Sequence, residues 1–231
     1  MKTFKTMLKT ELKLSLRGMD MFIFAICMPV VVIVLLGIIY GDKPAFADAE
    51  YTFLQQSFGA VSTIAICAGG LMGLPLVVSD YRNRKILKRL KVTPVKPITI
   101  LLVEITIYCI YSLVSLALIY LVAFLFFDFQ IIGSFWQFFL SFVLVMLSMF
   151  SIGMMVGGIA PNMKIASTVA SILYFPMLIF SGATLPYEIM PNALQNFANI
   201  LPLTQGIKLL KGTALGLPID NIIFPIGLMV V

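Results

Sequence analysis

Glu104 is the one Asp, Glu, Lys or Arg in the apolar run Ile98 to Phe127. A carboxylate placed there has two uses. It can relay a proton or cation in an ion-coupled carrier, or it can make a structural contact near the end of its helix. Its place about two turns into the run favours a contact with the basic loop or with the N-terminal helix. Other reactive side chains are scarce. The chain has no His, which removes Ser-His-Asp and Cys-His catalysis and zinc helices of the His-Glu-x-x-His type. Cys27, Cys67 and Cys109 each fall inside an apolar run and read as buried free thiols; their spacing suits neither a metal site nor a disulfide framework. No Gly-x-x-x-x-Gly-Lys-Ser/Thr phosphate loop and no pair of intramembrane aspartates occurs. The chemistry left is electrostatic. Seven of the 16 Lys and Arg lie between Asp80 and Pro97, in a segment beginning Asp80-Tyr81-Arg82-Asn83-Arg84-Lys85-Ile86-Leu87-Lys88-Arg89-Leu90. Such a segment is a topology anchor or a docking surface.

The elements that must hold it are membrane spans. Of the 231 residues, 61% are hydrophobic and 11% charged, with a mean hydropathy of +1.06; soluble domains carry about 25% charged residues. The net charge of +6 sits in loops flanking apolar runs. There it sets orientation and meets anionic headgroups, and does not point to nucleic acid. The pattern predicts one all-α membrane domain over residues 1–231, with spans at about 21–40, 57–79, 98–126, 134–160, 165–185 and 221 to the end. Residues 80–97 form a cytoplasmic loop and 186–220 an outer segment. The first run is longer than a signal-peptide core and reads as an uncleaved span, although Ala45-Phe46-Ala47 resembles a cleavage site. Pro29 is placed to kink it. Gly69, Gly70 and Gly73 near Pro75 read as packing or as a hinge, packing being favoured. Only 11 residues, Asn221 to Val231, remain for the sixth span, too few to cross, so it reads as truncated.

Thirteen of the Lys and Arg fall in segments 1–20, 80–97 and at Lys164, against Lys43, Lys208 and Lys211 elsewhere. By the positive-inside rule the N-terminus is cytoplasmic. In the first 18 residues Lys5, Lys9 and Lys13 share one helical face, and Phe4, Leu8, Leu12 and Leu16 another. This predicts a cationic amphipathic helix lying in the interface plane. The segment 186–220 holds Asn192, Gln195, Asn196, Asn199 and Gln205. That amide density excludes a lipid-exposed span and predicts short helices dipping into the outer leaflet against protein.

Two motifs resemble the ABC-2 type membrane permeases, half-transporters that pair with a separate ATPase. In the basic loop, Arg82, Leu87, Arg89-Leu90 and Thr93-Pro94 match the family pattern, while Tyr81, Asn83, Lys85 and Ile86 stand where it has acidic residues and Gly-Thr. At the end of the fifth span, Ser181-Gly182, Pro186, Met190-Pro191 and Leu201-Pro202-Leu203-Thr204 look like its second signature. The resemblance covers essentially the whole chain. It implies a six-span bundle of the type V exporter kind, in the inner membrane of a bacterium. Its partners would be a cytosolic ABC ATPase, a second permease chain (the same or different) and the bilayer. No cofactor is expected on this chain; ATP and Mg would be held by the ATPase, so the chain would be no enzyme by itself.

The loop would then be an ATPase-coupling helix. Arg82, Arg84, Lys85, Lys88 and Arg89 offer cations; Leu87 and Leu90, three apart, offer an apolar ridge. Pro186, Pro191 and Pro202 would belong to an outer lid. The resemblance points to Met72, Tyr174, Phe175, Met177 and Phe180 as pathway lining. Four functions stay open: export of drugs (multidrug transport), lipid-like molecules or hydrophobic peptides; export of a lipid-linked polysaccharide; a non-transporting regulatory or resistance subunit; and an ion-coupled carrier using Glu104.

Overall fold

The computed structural model describes residues 2–41, 43–45, 51–90, 96–181 and 190–217, together with Pro225 and Gly227. Nine helices organise the described residues: α1 (Lys2–Gly18), α2 (Ile23–Tyr40), α3 (Phe53–Asn83), α4 (Ile86–Leu90), α5 (Pro97–Phe127), α6 (Phe135–Ile159), α7 (Met163–Phe180), α8 (Asn192–Ala198) and α9 (Pro202–Leu215). A short piece, Asp20–Phe22, leads into α2. Five of them, α2, α3, α5, α6 and α7, are long and apolar enough to cross a membrane. The expected sixth span lies outside the described residues apart from Pro225 and Gly227, and Pro186 lies outside them too. Successive crossings put α1, α4 and the turn at 160–162 on one side, and the turn at 128–134 with α8 and α9 on the other.

Local sequence explains the ends. Thr52 and Gln55 cap α3 reciprocally: the Thr52 N–H donates to Gln55 Oε1 at 2.8 Å, and the Gln55 N–H to Thr52 Oγ1 at 3.2 Å. Asn162 caps α7 by accepting from the Ile165 N–H at 2.9 Å. With 31 residues, α3 is about 46 Å long, against about 30 Å of hydrocarbon. It therefore continues past the expected end at 79 and carries Asp80, Tyr81 and Arg82 on a helical foot beyond the lipid.

Two turns are widened. The Met28 N–H bonds to the Ile23 carbonyl, and the Leu74 N–H to the Gly69 carbonyl, each five residues back. Both widened segments, Ile23–Cys27 and Ala68–Gly73, lie just before a proline, Pro29 and Pro75. Proline has no N–H to give and its ring crowds the carbonyl four residues earlier; a wider turn relieves both.

The centre of the bundle is α3. Of its most apolar stretch 78% is buried, against 17% for α7. The glycine cluster serves packing. A Cβ on Gly153 would overlap the Gly70 carbonyl oxygen; one on Gly157 would lie 2.8 Å from Val78 Cβ; and one on Gly70 would lie 2.7 Å from Phe150 Cδ1. Thus α3 and α6 touch backbone to backbone. On the far side α9 wedges between them, with Leu203 and Leu210 fully buried and the Gly133 N–H donating to the Ala214 carbonyl at 2.9 Å. This helix is an inserted part of the core more than a surface helix dipping into lipid.

The N-terminal helix departs from the expected pattern. Phe4, Met7, Leu8 and Leu12 pack onto the core, and α1 rests against α5. Leu16 is 45% exposed and leaves the predicted apolar line. A four-residue spacing drifts about 40° per step on a 3.6-residue helix, so by Leu16 the line has rotated about 120°. Ser15 takes the inward place and hydrogen-bonds Tyr111 Oη at 3.0 Å.

Gly153→Ala is expected to destabilise the bundle by about 1–3 kcal/mol through overpacking. Gly158→Ala, with nothing within 4 Å of the added carbon, is expected to be neutral or stabilising by up to about 1 kcal/mol. Thermal unfolding of both variants in the same detergent checks the pair.

Candidate functional site

The basic loop is built around a bend. Helix α3 ends at Asn83, and Lys85 takes a left-handed backbone with φ of 58° before α4 begins. That conformation costs a non-glycine residue about 1–2 kcal/mol. Lys85 stands in the part of the motif where the resembling family has Gly-Thr. The bend is closed by the Arg84 N–H to the Asp80 carbonyl at 2.9 Å and the Lys85 N–H to the Arg82 carbonyl at 3.0 Å.

Arg82 turns inward. Its Nη1 donates to the carbonyls of Gly157 (3.1 Å), Ala160 (3.2 Å) and Gly158. These are carbonyls at the C-terminal end of α6, which have no partner within their own helix and carry the negative end of its dipole. A guanidinium satisfies several at once. Arg84 pairs with Asp80, Nε to Oδ1 at 2.9 Å, one turn back on the same helix. Of the predicted coupling cations, Arg82 and Arg84 therefore have partners inside the chain. Lys85 sits in the bend, and Lys88 and Arg89 are exposed on α4. Ile86 and Leu87 are half-buried, and α4 packs against α3 and α5. Leu90 closes the helix; Thr93 and Pro94 lie outside the described residues.

Glu104 meets the foot of α3. The Tyr81 hydroxyl donates to Glu104 Oε1 at 2.7 Å, and Glu104 is only 5% exposed. Glu11 of α1 is half-buried. Burial pushes the Glu11 carboxyl above its ordinary range, and the nearby Tyr81 hydroxyl pulls it partly back. Of the two partners expected for Glu104, the basic segment supplies the hydrogen bond, through Tyr81. That a tyrosine is the intermediary was not readable from spacing.

The pathway candidates are spread out. Met177 is buried, Met72, Tyr174 and Phe180 are half-buried, and Phe175 is 54% exposed. The Phe180 ring meets Phe197 of α8 at 5.8 Å, joining α7 to the outer helices near Pro191. A groove of about 440 Å³ opens elsewhere, between α5, the turn at 128–134 and the start of α6. Its walls include Phe58, Tyr120, Phe124, Phe135 and Phe138. Tyr120 is the single wall residue with a hydrogen-bonding side chain. Sequence reading missed this groove because phenylalanines distributed over three helices look like ordinary span residues.

Five crossings around a buried α3, with a basic helix hung from its foot, define a multi-pass membrane protein with a cationic surface on one side. The chain belongs to the ABC-2 type transporter family, which it matches over residues 2–215. It is similar to nodulation protein J of Rhizobium leguminosarum bv. viciae, 38% identical over 79 residues. That stretch is 34% of this chain and 30% of the relative. The same-named proteins of Neorhizobium galegae and Rhizobium meliloti (strain 1021) are each 32% identical over 77 residues, 33% of this chain and 29% of theirs. Each alignment thus spans under a third of the relative's own length. No solved structure matches the chain.

Arg82→Ala is expected to lower stability by about 1–3 kcal/mol, the value of hydrogen bonds made by a charged group. Arg82→Lys should recover part of that, since an ammonium lacks the planar fork. Lys85→Gly should stabilise by about 1 kcal/mol by relieving the left-handed backbone. Denaturation midpoints of the three variants test the geometry of the bend.

Proposed function

We propose that the chain is the membrane-crossing subunit of an ATP-driven exporter, worked by a cytosolic ABC ATPase that docks on α4. Two permease chains, alike or different, would face each other across the pathway, in a bacterial inner membrane with α1 and α4 on the cytoplasmic side. The observation that carries this reading is the mounting of α4. It presents Lys88 and Arg89 outward, and the bend above it is tied to two spans, by Arg82 to α6 and by Arg84 to Asp80 of α3. A simple topology anchor has no use for that bracing. A lever does, because force applied to α4 reaches α3 and α6 without slack. ATP closing the ATPase dimer would drive the change by contacting one arrangement of the levers better than the other. The chain of α8 and α9, with Pro191 and Pro202 at their starts, would serve as the outer lid.

For cargo, the apolar walls support an amphiphile: a drug, a lipid-like molecule or a hydrophobic peptide. A lipid-linked polysaccharide is the second reading, and the phenylalanine-lined groove suits the lipid portion of such a molecule as well. The ion-coupled carrier draws less support, because Glu104 is already engaged by Tyr81. A regulatory subunit would bind the ATPase without moving cargo.

The test is co-purification with the ATPase encoded beside the gene, comparing wild type with Arg89→Glu/Leu90→Asp. The wild type is expected to hold the ATPase and the double variant to lose it. No binding by the wild type, or equal binding by both, overturns the docking reading. Transport by reconstituted complex, assayed with a fluorescent lipid and with a glycolipid, separates the two cargo classes from a regulatory subunit that moves neither.

A further inference from the structure

We propose that the outward face of α1 binds the headgroups of anionic phospholipids through Lys5, Lys9, Lys13 and Arg17, and that these headgroups hold the helix against α5. The four cations stand four residues apart, and all are exposed. On a helix rising 1.5 Å per residue they form a slowly turning row about 18 Å long. Glu11 is the single acidic residue of the helix, and it is half-buried on the inward side with Phe4, Met7, Leu8 and Leu12. Among the described residues the ion pair joins Arg84 to Asp80, and no acidic side chain pairs with the row. The outward face is therefore uncompensated positive charge.

The packing explains why charge is what α1 offers. An amphipathic helix ordinarily lies on a membrane by its apolar face. Here Phe4, Met7, Leu8 and Leu12 are spent on the protein core, so the row faces the surroundings. Its complement is an anion, and the position of the helix says which. After α1 the backbone turns at Met19, with φ of 59°. The next residues, Asp20–Phe22, lead straight into the membrane-crossing α2. The end of α1 is thereby held at the membrane surface. Leu14, Leu16 and Met19 are exposed there, and exposed Ile23, Phe24 and Met28 continue along α2. Cations set among bare apolar side chains suit the boundary between headgroups and hydrocarbon, with the stems toward the chains and the charged ends among phosphates. An acidic protein surface in water would leave those leucines uncovered. Each cation beside an anionic membrane surface strengthens attachment about fivefold, so four act together strongly. Inward, Ser15 of the same helix hydrogen-bonds Tyr111 of α5 at 3.0 Å, so headgroups that steady α1 also steady its seat on that span. The inference asks only that α1 lie at a membrane surface and holds whatever the cargo.

Amide hydrogen exchange of the full chain tests it, in nanodiscs of phosphatidylcholine alone and of phosphatidylcholine with phosphatidylglycerol. Wild-type α1 is expected to exchange several-fold more slowly with phosphatidylglycerol, while α9 stays constant. That gain should vanish between about 0.1 M and about 1 M salt, as the screening length falls from about 10 Å to about 3 Å. Lys5→Gln/Lys9→Gln/Lys13→Gln/Arg17→Gln should exchange alike in both lipids. Lys88→Gln/Arg89→Gln, which removes cations outside the row, should keep the difference. The salt series on the wild type serves if the quadruple variant fails to fold. Equal protection of wild-type α1 in the two lipids, or an undiminished lipid effect in the quadruple variant or in high salt, overturns the proposal. So does a row that ignores lipid and is needed for the ATPase to co-purify, which marks it as a protein-docking surface. Because the permease is tested alone, failure here leaves the docking of an ATPase on α4 untouched.

Discussion

The close approach of α3 and α6 is the constraint on which the rest of the bundle depends. Between helices in lipid there is no hydrophobic driving force, because the tails are as apolar as the side chains. Association rests on van der Waals contact and on hydrogen bonds, and small residues permit both. At Gly70 and Gly153 two backbones meet with no room for a Cβ. That contact makes α3 the buried axis and shapes the slot on the far side that α9 fills. The widened turn before Pro75 lies at this contact, so the irregular backbone is shielded by protein, the condition for tolerating it at membrane depth.

At the opposite end the same two helices are joined by charge. Arg82 reaches the end of α6 because α3 runs past the lipid, and the carbonyls it meets are open because a helix ends there. The chain thus braces one pair of helices twice, by contact in the middle and by a guanidinium at the foot. Tyr81 and Glu104 add α5 to that foot. Bracing of this kind makes the base of the bundle move as a unit, while α7, with much apolar surface uncovered, is left to meet lipid or another chain.

Much of the architecture was legible in the residues. Apolar runs, one of them interrupted by Glu104, marked the five crossings, and the distribution of Lys and Arg assigned the loops to opposite sides. The basic loop and the second motif together pointed to the family. The site was legible in part. Glu104 could be read as a structural carboxylate, but Tyr81 could not be read as its partner, since a tyrosine beside Arg82 carries no periodic signal. Arg82 and Lys88 look equivalent in sequence, yet Arg82 is bonded to the end of α6 while Lys88 is exposed on α4. The Leu16 position was misjudged because a spacing of four was treated as a straight line along a helix.

By itself the sequence determined which segments cross the membrane, which loops are cationic, and where helices begin, widen and end. These follow from short-range physics: transfer of apolar side chains to lipid, capping by Thr52 and Asn162, and the missing N–H of Pro29 and Pro75. Only the tertiary structure decided which glycines touch, that α9 is buried, that Arg82 binds α6, and that Tyr81 meets Glu104. Those depend on bringing together residues far apart in the chain, as Gly59 and Leu210 are, and a pairing at that distance is set by how helices pack, which no local pattern encodes.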